Sequence, residues 1–285
     1  MEYANSDALV STSWLEQHLG SPEVSIVDAT YYLPNDERNA AENYALRHIP
    51  GAVFFNIDEI CDSTVDLPHM LPSPEKFSLR VRKLGLGDGN RIVVYDSSGG
   101  FMAACRVWWM FRMFGHLDVA VLDGGLPKWD HEKRPVSNDK PNPQKQHFSA
   151  KKNHKLVKNI SQMLENVERK KFQVIDARTP GRYSGDDPEP RPTEKVGHIP
   201  GSINVPFPVM LNPRKHFTFK SADEIKAVFE EVGIDINKPI AASCGSGVTA
   251  AVITFALYLI GNDEGAVYDG SWAEWGDRPD TQVVS

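Results

Sequence analysis

The stretch from Ser243 to Thr249 has the residue types of a nucleophilic site. It reads Ser-Cys-Gly-Ser-Gly-Val-Thr, with Cys244 as its thiol. Gly245 and Gly247 allow backbone conformations that a Cβ would forbid, so successive N–H groups can turn toward one point. Negative charge is favoured at such a point. We therefore expect the cysteine to ionise readily and to attack as a thiolate.

The flanking sequence predicts the elements that position this cysteine. Residues 238–242 are a short, largely apolar run typical of a buried strand, and residues 250–260 are a continuous apolar stretch that predicts a buried helix. Cys244 then lies on a strand-to-helix turn, where the helix dipole also favours a thiolate. A free cysteine is more often a small buried apolar residue. The two glycines and the hydroxyls of Ser246 and Thr249 favour the functional interpretation.

The residues that the loop lacks narrow its chemistry. A cysteine phosphatase needs an arginine at position 250 to hold phosphate, and this chain has Ala250. A thioredoxin-like dithiol needs a second cysteine at position 247, which is glycine. No cation occurs from residue 244 to residue 249. A neutral loop suits a persulfide sulfur, or a substrate whose charge lies away from the reacting atom.

The segment Cys-Gly-Ser-Gly-Val-Thr, residues 244–249, resembles the active-site loop of the mercaptopyruvate sulfurtransferases, a group within the rhodanese family. Rhodanese proper carries basic residues in this loop for thiosulfate, and this loop lacks them. The resemblance implies two rhodanese-like domains that face each other across a cleft. It also implies that Cys244 carries sulfur and that the loop contacts the substrate through Gly245, Gly247, Val248 and Thr249.

The sequence contains an internal repeat that spans most of the chain. Four segments of the first half match four of the second at offsets of 146 to 150 residues, aligning Asp28 with Asp176, His48 with His198, Asp96 with Cys244, and Asp123 with Asp269. The simplest account is one ancestral unit of domain size, present twice. A carboxylate cannot carry sulfane sulfur, so the Asp96 copy is predicted to be inactive and to form one wall of the cleft.

The repeat and the alternation of strands with helices predict an α/β fold. We expect two tandem rhodanese-like domains, each a mainly parallel sheet flanked by helices, at residues 1–133 and 148–285. Residues 134–147 are rich in Pro, Asn, Lys and Gln and are predicted to be a linker. In such sheets the ligand site lies beyond the carboxyl ends of the strands, which is where Cys244 falls.

Two arginines could hold a substrate carboxylate in a bidentate grip. Arg182, in Gly-Arg-Tyr-Ser-Gly, and Arg191, in Pro-Glu-Pro-Arg-Pro, lie in a predicted long loop after the strand at residues 172–175. Long loops are usually functional or disordered, and most arginines are solvated, so spacing alone leaves both roles open. The resemblance implies that these two bind the substrate and that the nearby Arg178 does not.

Asp58, His69 and Ser246 form a second candidate set. Taken alone, His69 fits a structural histidine and Asp58 fits a helix N-cap. The resemblance implies an Asp-His-Ser relay, in which Ser246 shuttles a proton at the substrate carbonyl. His48 and His198 recur in the same His-Ile-Pro-Gly turn of both halves and are predicted to be structural.

The overall composition excludes several functions. The chain has 285 residues, 41% hydrophobic and 24% charged, and a net charge of −7, which argues against a nucleic-acid partner. Three widely spaced cysteines fit neither a disulfide framework nor a zinc site. We expect no cofactor and no metal. The polar N-terminus has no targeting pattern and the apolar helix is too short for a bilayer, so we expect a cytoplasmic protein without a membrane partner.

The resemblance implies an enzyme that moves the sulfur of 3-mercaptopyruvate through a Cys244 persulfide to a thiol acceptor and releases pyruvate. The acceptor would be reduced thioredoxin or a small thiol. Two alternatives remain open: a thiosulfate sulfurtransferase, against which the neutral loop argues, and a non-catalytic persulfide carrier that receives sulfur from another protein.

Overall fold

The computed structural model describes residues 2–98 and 102–285. A short 3₁₀ helix, Ser6–Ala8, precedes the first half, in which strands and helices alternate. The elements are β1 (Leu9–Val10), α1 (Thr12–Gln17), β2 (Val24–Asp28), α2 (Ala40–Leu46), β3 (Val53–Phe54), α3 (Pro74–Lys83), β4 (Arg91–Tyr95), α4 (Met102–Met113), β5 (Val119–Leu122) and α5 (Gly125–His131).

The second half repeats this order with a small added hairpin, β9–β10, and with 3₁₀ helices at His154–Leu156, Phe207–Met210 and Pro213–Lys215. Its elements are β6 (Val157–Lys158), α6 (Ile160–Arg169), β7 (Gln173–Asp176), α7 (Pro180–Ser184), β8 (Ser202–Asn204), β9 (Leu211–Asn212), β10 (Thr218–Phe219), α8 (Ala222–Glu231), β11 (Ile240–Ser243), α9 (Ala250–Leu259), β12 (Ala266–Tyr268) and α10 (Ser271–Trp275).

The two halves have the same sheet topology. Each contains a five-stranded parallel sheet, in the order β1-β5-β4-β2-β3 in the first half and β6-β12-β11-β7-β8 in the second. In the register of the parallel strands, Asp28 of β2 lies opposite Tyr95 of β4, and Asp176 of β7 lies opposite Ser243 of β11. Asp96 and Cys244 therefore directly follow equivalent strands. The predicted α/β fold, its two repeated sheets and the alignment of Asp96 with Cys244 are confirmed.

The prediction of a long loop that contains both Arg182 and Arg191 is wrong for residues 180–184, which form the helix α7. Pro180 at its first turn presets a helical φ and needs no hydrogen-bond acceptor for its nitrogen. Gly185 ends the helix in the left-handed region, at φ +90°. The helix fixes the backbone of Arg182, whereas Arg191 lies outside regular structure.

Helices α4 and α9 pack against each other and join the two halves. Trp108 contacts Phe255 edge-on, with ring centroids 4.7 Å apart. Helix α9 is buried almost throughout because it packs on its own sheet and on α4. The tryptophans at 108, 109, 272 and 275 are all buried. The two domains therefore share one continuous apolar cluster.

The connection between the halves follows the surface of the first domain. Residues 138–150 contain neither helix nor strand, and Ser137 forms an isolated bridge with His48. Phe148 is fully buried and packs edge-on against Phe77 of the first domain, at 5.6 Å. The division at residues 133 and 148 stays a prediction. Within the described part of the chain, no helix is long and apolar enough to cross a membrane.

Candidate active site

A cavity of about 210 Å³ lies at the carboxyl ends of β7 and β11, where the two halves meet. The first half contributes Tyr31 and Leu33 to its lining. From the second half it collects most of the predicted site residues, namely Arg182, Arg191, Cys244, Gly245, Ser246, Val248 and Thr249. Gly247 lies behind the loop, against Arg106 and the Asp269 carbonyl.

The start of α10 fixes the loop that carries Cys244. The carbonyl oxygens of Cys244 and Gly245 accept hydrogen bonds from the N–H groups of Trp272 and Ala273, each at 2.9 Å. In a trans peptide the carbonyl and the following N–H point in opposite directions. The N–H groups of Gly245 and Ser246 therefore point away from α10. The Cys244 side chain is buried, with 2% exposure.

The loop offers backbone donors to an anionic sulfur. Within the described residues, the N–H groups of residues 245–250 donate no hydrogen bond to the protein. They lie at the N-terminal end of α9, where the helix dipole adds to their partial positive charge. The arrangement can stabilise a thiolate or a persulfide anion without a charged side chain in the loop.

Two glycines allow this shape for different reasons. Gly247 has φ +76°, in the left-handed region, and a Cβ there would lie 2.9 Å from the Asp269 carbonyl oxygen. A Cβ at Gly245 would lie 2.6 Å from Nη2 of Arg182. Gly245 therefore lets the Arg182 guanidinium approach the loop that holds the thiol.

Arg182 is held by a carboxylate that it shares with Arg178. Glu189 accepts two hydrogen bonds from Arg182, one from Nε at 3.2 Å and one from Nη2. It accepts a third hydrogen bond from Nη1 of Arg178, at 2.8 Å. Arg178 is fully buried and also pairs with Asp176 through Nε and Nη2. Arg178 thus has a structural environment, while Arg182 keeps 20% of its side chain exposed and lines the cavity.

Arg191 reaches across the cleft to the first half. Its Nη2 donates to the Tyr31 hydroxyl at 2.8 Å and lies 3.2 Å from Nε2 of His69. Burial raises the pKa of Tyr31, so the hydroxyl stays neutral and can accept from the guanidinium. Arg182 and Arg191 both line the cavity that contains Cys244, so they can bind one small anion together.

His69 and Asp58 form the next pair. Nδ1 of His69 lies 3.0 Å from Asp58 Oδ1, an ion-pair distance without good alignment for a hydrogen bond. Burial lowers the pKa of His69, with further lowering by Arg191 and Arg106, whereas Asp58 opposes that shift. The pKa of the Asp58 carboxyl is lowered, chiefly by His69. A neutral imidazole with its proton on Nδ1 fits both contacts.

Ser246 is buried at the cavity but makes no hydrogen bond to His69 in the described structure. Nε2 of His69 faces Arg191 instead. The structure thus brings Asp58 to His69 and Ser246 to Cys244, and it leaves the last link of the predicted relay unmade. The roles of Asp58, His69 and Ser246 stay predictions.

Comparison with known proteins gives the family of the chain. The family model described as "Rhodanese-like domain" matches residues 11–132 and residues 159–278. The chain belongs to the rhodanese family. The chain is 42% identical to human 3-mercaptopyruvate sulfurtransferase, over 94% of this chain and 91% of the human protein. It is 43% identical to rat thiosulfate sulfurtransferase, over 97% and 95% of the respective chains.

A solved structure has the same architecture as these two rhodanese domains. The crystal structure of SseA from Escherichia coli, which is described among the 3-mercaptopyruvate sulfotransferases, superposes with a TM-score of 0.85. The two chains are 38% identical, and the match covers 93% of this chain and 98% of SseA. Since relatives with both kinds of donor in their names have similar identity, the donor must be argued from the site.

The sequence-based predictions missed three residues that hold the site together. Tyr31 contacts Arg191, Glu189 holds Arg182, and Arg106 contacts the cysteine loop from the first domain. A signal existed for Arg106, since a cation amid the apolar residues of α4 indicates a buried partner. Within the described residues, no cluster of His, Cys, Asp and Glu side chains could hold a metal ion.

Proposed function

We propose that this protein is a sulfurtransferase that takes sulfur from 3-mercaptopyruvate onto Cys244 and passes it to a thiol acceptor, releasing pyruvate. The observation that carries the proposal is the shared cavity of Cys244, Arg182 and Arg191. A thiol and two guanidinium groups thus line one cavity of about 210 Å³, which is large enough for one small ligand. The human and Escherichia coli relatives, named for this donor, support the proposal.

Substrate binding uses the two arginines in different ways. The two partners of Arg191, Tyr31 and His69, are neutral, so its guanidinium has no negatively charged partner in these contacts. A substrate carboxylate would supply one. Arg182 already pairs with Glu189, which orients its guanidinium and offsets its charge. In the described structure, Arg191 therefore offers a single cation without a directly bonded carboxylate, which suits a monoanionic keto acid better than a dianion.

In the transfer step the Cys244 thiolate attacks the substrate sulfur. An S–S bond forms while the C–S bond breaks, and the electron pair of the C–S bond leaves on the pyruvate enolate. The thiol proton stays on the outer sulfur or is lost to solvent, which gives a persulfide on Cys244. The backbone N–H groups of residues 245–250 stabilise the inner and outer sulfur atoms.

The enolate then takes a proton at carbon and becomes pyruvate. Ser246 lies at the cavity beside Cys244 and is placed to pass this proton. His69, neutral at rest, would first take the thiol proton of Cys244 through Ser246 after a small movement from Arg191, and would then return it to the enolate, with Asp58 stabilising the charged imidazole between the two steps. In the second half-reaction, an acceptor thiolate attacks the outer sulfur and Cys244 leaves as a thiolate. Thioredoxin or a small thiol is the proposed acceptor, and the cytoplasm remains the predicted location.

A thiosulfate sulfurtransferase is the second candidate, supported by the rat relative of that name. Thiosulfate is a dianion, and residues 244–249 contribute no cation to balance it. A non-catalytic carrier is the third candidate, and it would need neither arginine at the cavity. Both features favour mercaptopyruvate as the donor.

The experiment is the intact mass of the reduced protein after brief exposure to 3-mercaptopyruvate or, separately, to thiosulfate, followed by peptide mapping. We expect one added sulfur on Cys244 from mercaptopyruvate, with release of pyruvate, and much less from thiosulfate. Cys244→Ser is the control and should gain no sulfur. Loading mainly from thiosulfate would reverse the donor assignment, and loading from neither would favour the carrier.

A further inference from the structure

Arg106 is a buried cation that crosses from the first domain into the active site. It lies on α4, with 0% exposure, and its guanidinium stacks 4.4 Å from the Trp109 ring centroid. Nη2 donates to Asp269 Oδ1 at 2.7 Å and to the His69 carbonyl at 2.6 Å, while Nη1 donates to the Gly247 carbonyl at 3.2 Å. A planar guanidinium with several fixed acceptors has one defined orientation.

Each acceptor belongs to a different part of the proposed site. His69 is the predicted proton donor and has φ +59°, an unfavourable conformation for a residue other than glycine. Asp269 lies two residues before α10, whose N–H groups hold the carbonyls of Cys244 and Gly245. Gly247 lies in the cysteine loop itself. One side chain therefore connects the proton relay, the helix behind the loop, and the loop.

The bond to Gly247 also orients a donor of the loop. Because the Gly247 carbonyl points to Arg106, the N–H of the same trans peptide, on Val248, points the opposite way. Val248 lines the cavity, whereas Gly247 faces Arg106. The Val248 N–H then joins those of Gly245 and Ser246, which the contacts with α10 direct away from that helix.

We propose that Arg106 is a positioning residue for sulfur transfer, acting from the inactive domain. It holds the Val248 N–H toward the sulfur on Cys244 and anchors the carbonyl of His69 beside the cysteine loop. The inference rests on the proposed function, since it concerns the stability of the Cys244 persulfide. It predicts that substitution of Arg106 changes the lifetime of the persulfide and kcat more than it changes KM.

The test uses Arg106→Lys, which keeps the charge but loses the planar fork, and Arg106→Gln, which loses the charge. Each variant is loaded with sulfur from mercaptopyruvate and freed of donor, and the decay of the persulfide is followed by intact mass. We expect the persulfide lifetime and kcat to fall roughly tenfold to a hundredfold, with KM changed by less than about twofold. A purely structural role would instead change the melting temperature without shortening the lifetime in the folded protein.

Asp123→Asn is the matched control, because Asp123 aligns with Asp269 in the repeat and accepts from the Phe219 N–H across the other interface. It should keep the wild-type lifetime. Folded Arg106 variants with wild-type lifetime and kcat would overturn the proposal. If neither folds, Asp269→Asn decides, since it removes the charged acceptor that orients the guanidinium but can still accept from Leu71. A wild-type lifetime there counts against Arg106.

The wild-type protein separates the two proposals. If it takes no sulfur from mercaptopyruvate, the proposed donor is wrong. Loading with inorganic polysulfide then still compares the persulfide lifetimes of the wild-type protein and the Arg106 variants. If it loads normally and the variants behave like it, Arg106 has no positioning role and the proposed function stands.

Discussion

The two domains contact each other through two equivalent interfaces. One includes the loop of Cys244, and the other is its counterpart on the side of the repeat that has Asp96 instead. At the first, the Leu71 N–H donates to Asp269 at 2.8 Å, and at the second the Phe219 N–H donates to Asp123 at 3.0 Å. The residues two positions earlier, His69 and Phe217, have φ +59° and +58°. The repeat therefore extends from the sheets to the contacts between the domains.

The interfaces differ in a few side chains. His69 is buried against Arg191, whereas Phe217, in the equivalent position, is 38% exposed. Arg106 binds the cysteine loop, whereas Thr254, its counterpart at the repeat offset, bonds to Ala251 within its own helix. The two interfaces therefore share their backbone contacts, and they differ in the side chains that contact the Cys244 loop and Arg191.

The strand-end carboxylates show the same contrast. Asp176 is paired with Arg178, while Thr30 occupies the position equivalent to Arg178, so Asp28 has no guanidinium partner among the residues that the structure describes. Burial, opposed by hydrogen bonds, raises the pKa of Asp28 to about 6. The half that contains Cys244 thus balances a buried carboxylate with a guanidinium, whereas the other half does not.

The largest expected effect comes from moving the nucleophile between the halves. Cys244→Ser should reduce sulfur transfer to the uncatalysed rate, because a hydroxyl cannot carry sulfane sulfur. Asp96→Cys in that background should restore nothing, since residue 96 does not line the cavity that Arg182 and Arg191 share with Cys244. Pyruvate release from mercaptopyruvate measures both. Activity in the double variant would show that the first half retains a working site.

The next effect concerns the arginine that connects the halves. Arg191→Ala removes a charged donor to the substrate and the contacts with Tyr31 and His69. We expect kcat/KM for mercaptopyruvate to fall roughly a hundredfold. Tyr31→Phe, which removes one neutral partner, should cost less than about tenfold. Equal losses in the two variants would contradict a direct contact between Arg191 and the substrate.

The strand-end carboxylates should respond in opposite directions to the same substitution. Asp176→Asn leaves Arg178 buried without its bidentate partner and should lower the free energy of unfolding by about 3 kcal/mol. Asp28→Asn should raise it by about 1–2 kcal/mol at pH 8. Urea unfolding of both variants and the wild-type protein measures these differences.

The pH dependence of the Asp28 effect follows from its raised pKa. The folded state holds this proton up to a pH of about 6, whereas the unfolded state releases it near the ordinary value of 3.8. Wild-type stability therefore falls as the pH rises through that window, and the advantage of Asp28→Asn should disappear at pH 4. A constant advantage from pH 4 to pH 8 would show that the charge of Asp28 is not the cause.

The smallest effect is expected at the rim of the cleft. Asp58 raises the pKa of His69 against the larger effect of burial. Asp58→Asn should therefore lower that pKa further and reduce kcat roughly tenfold, with KM unchanged. Glu59→Gln, at the neighbouring position, is the control and should have wild-type kcat. An unchanged kcat in Asp58→Asn would remove Asp58 from the proposed relay.

Local patterns in the sequence determined much of this protein. The offsets of the repeat predicted two equivalent sheets, and the apolar runs around residues 244–249 placed Cys244 on a strand-to-helix turn. These features depend on residues close together in the chain, so periodicity and glycine positions carry them. The loop also excluded a phosphatase, because position 250 is alanine.

Other features were decided only by the tertiary structure. Arg191 and His69 are 122 residues apart and Arg106 and Asp269 are 163 residues apart, yet each pair is in contact. Glu189 forms an ion pair with Arg182, and no hydrogen bond joins His69 to Ser246 in the described structure. Such contacts depend on how two folded domains pack, because burial and charge pairing act between side chains that no local pattern relates. The sequence determined which groups could react, and the packing of the domains decided which of them meet.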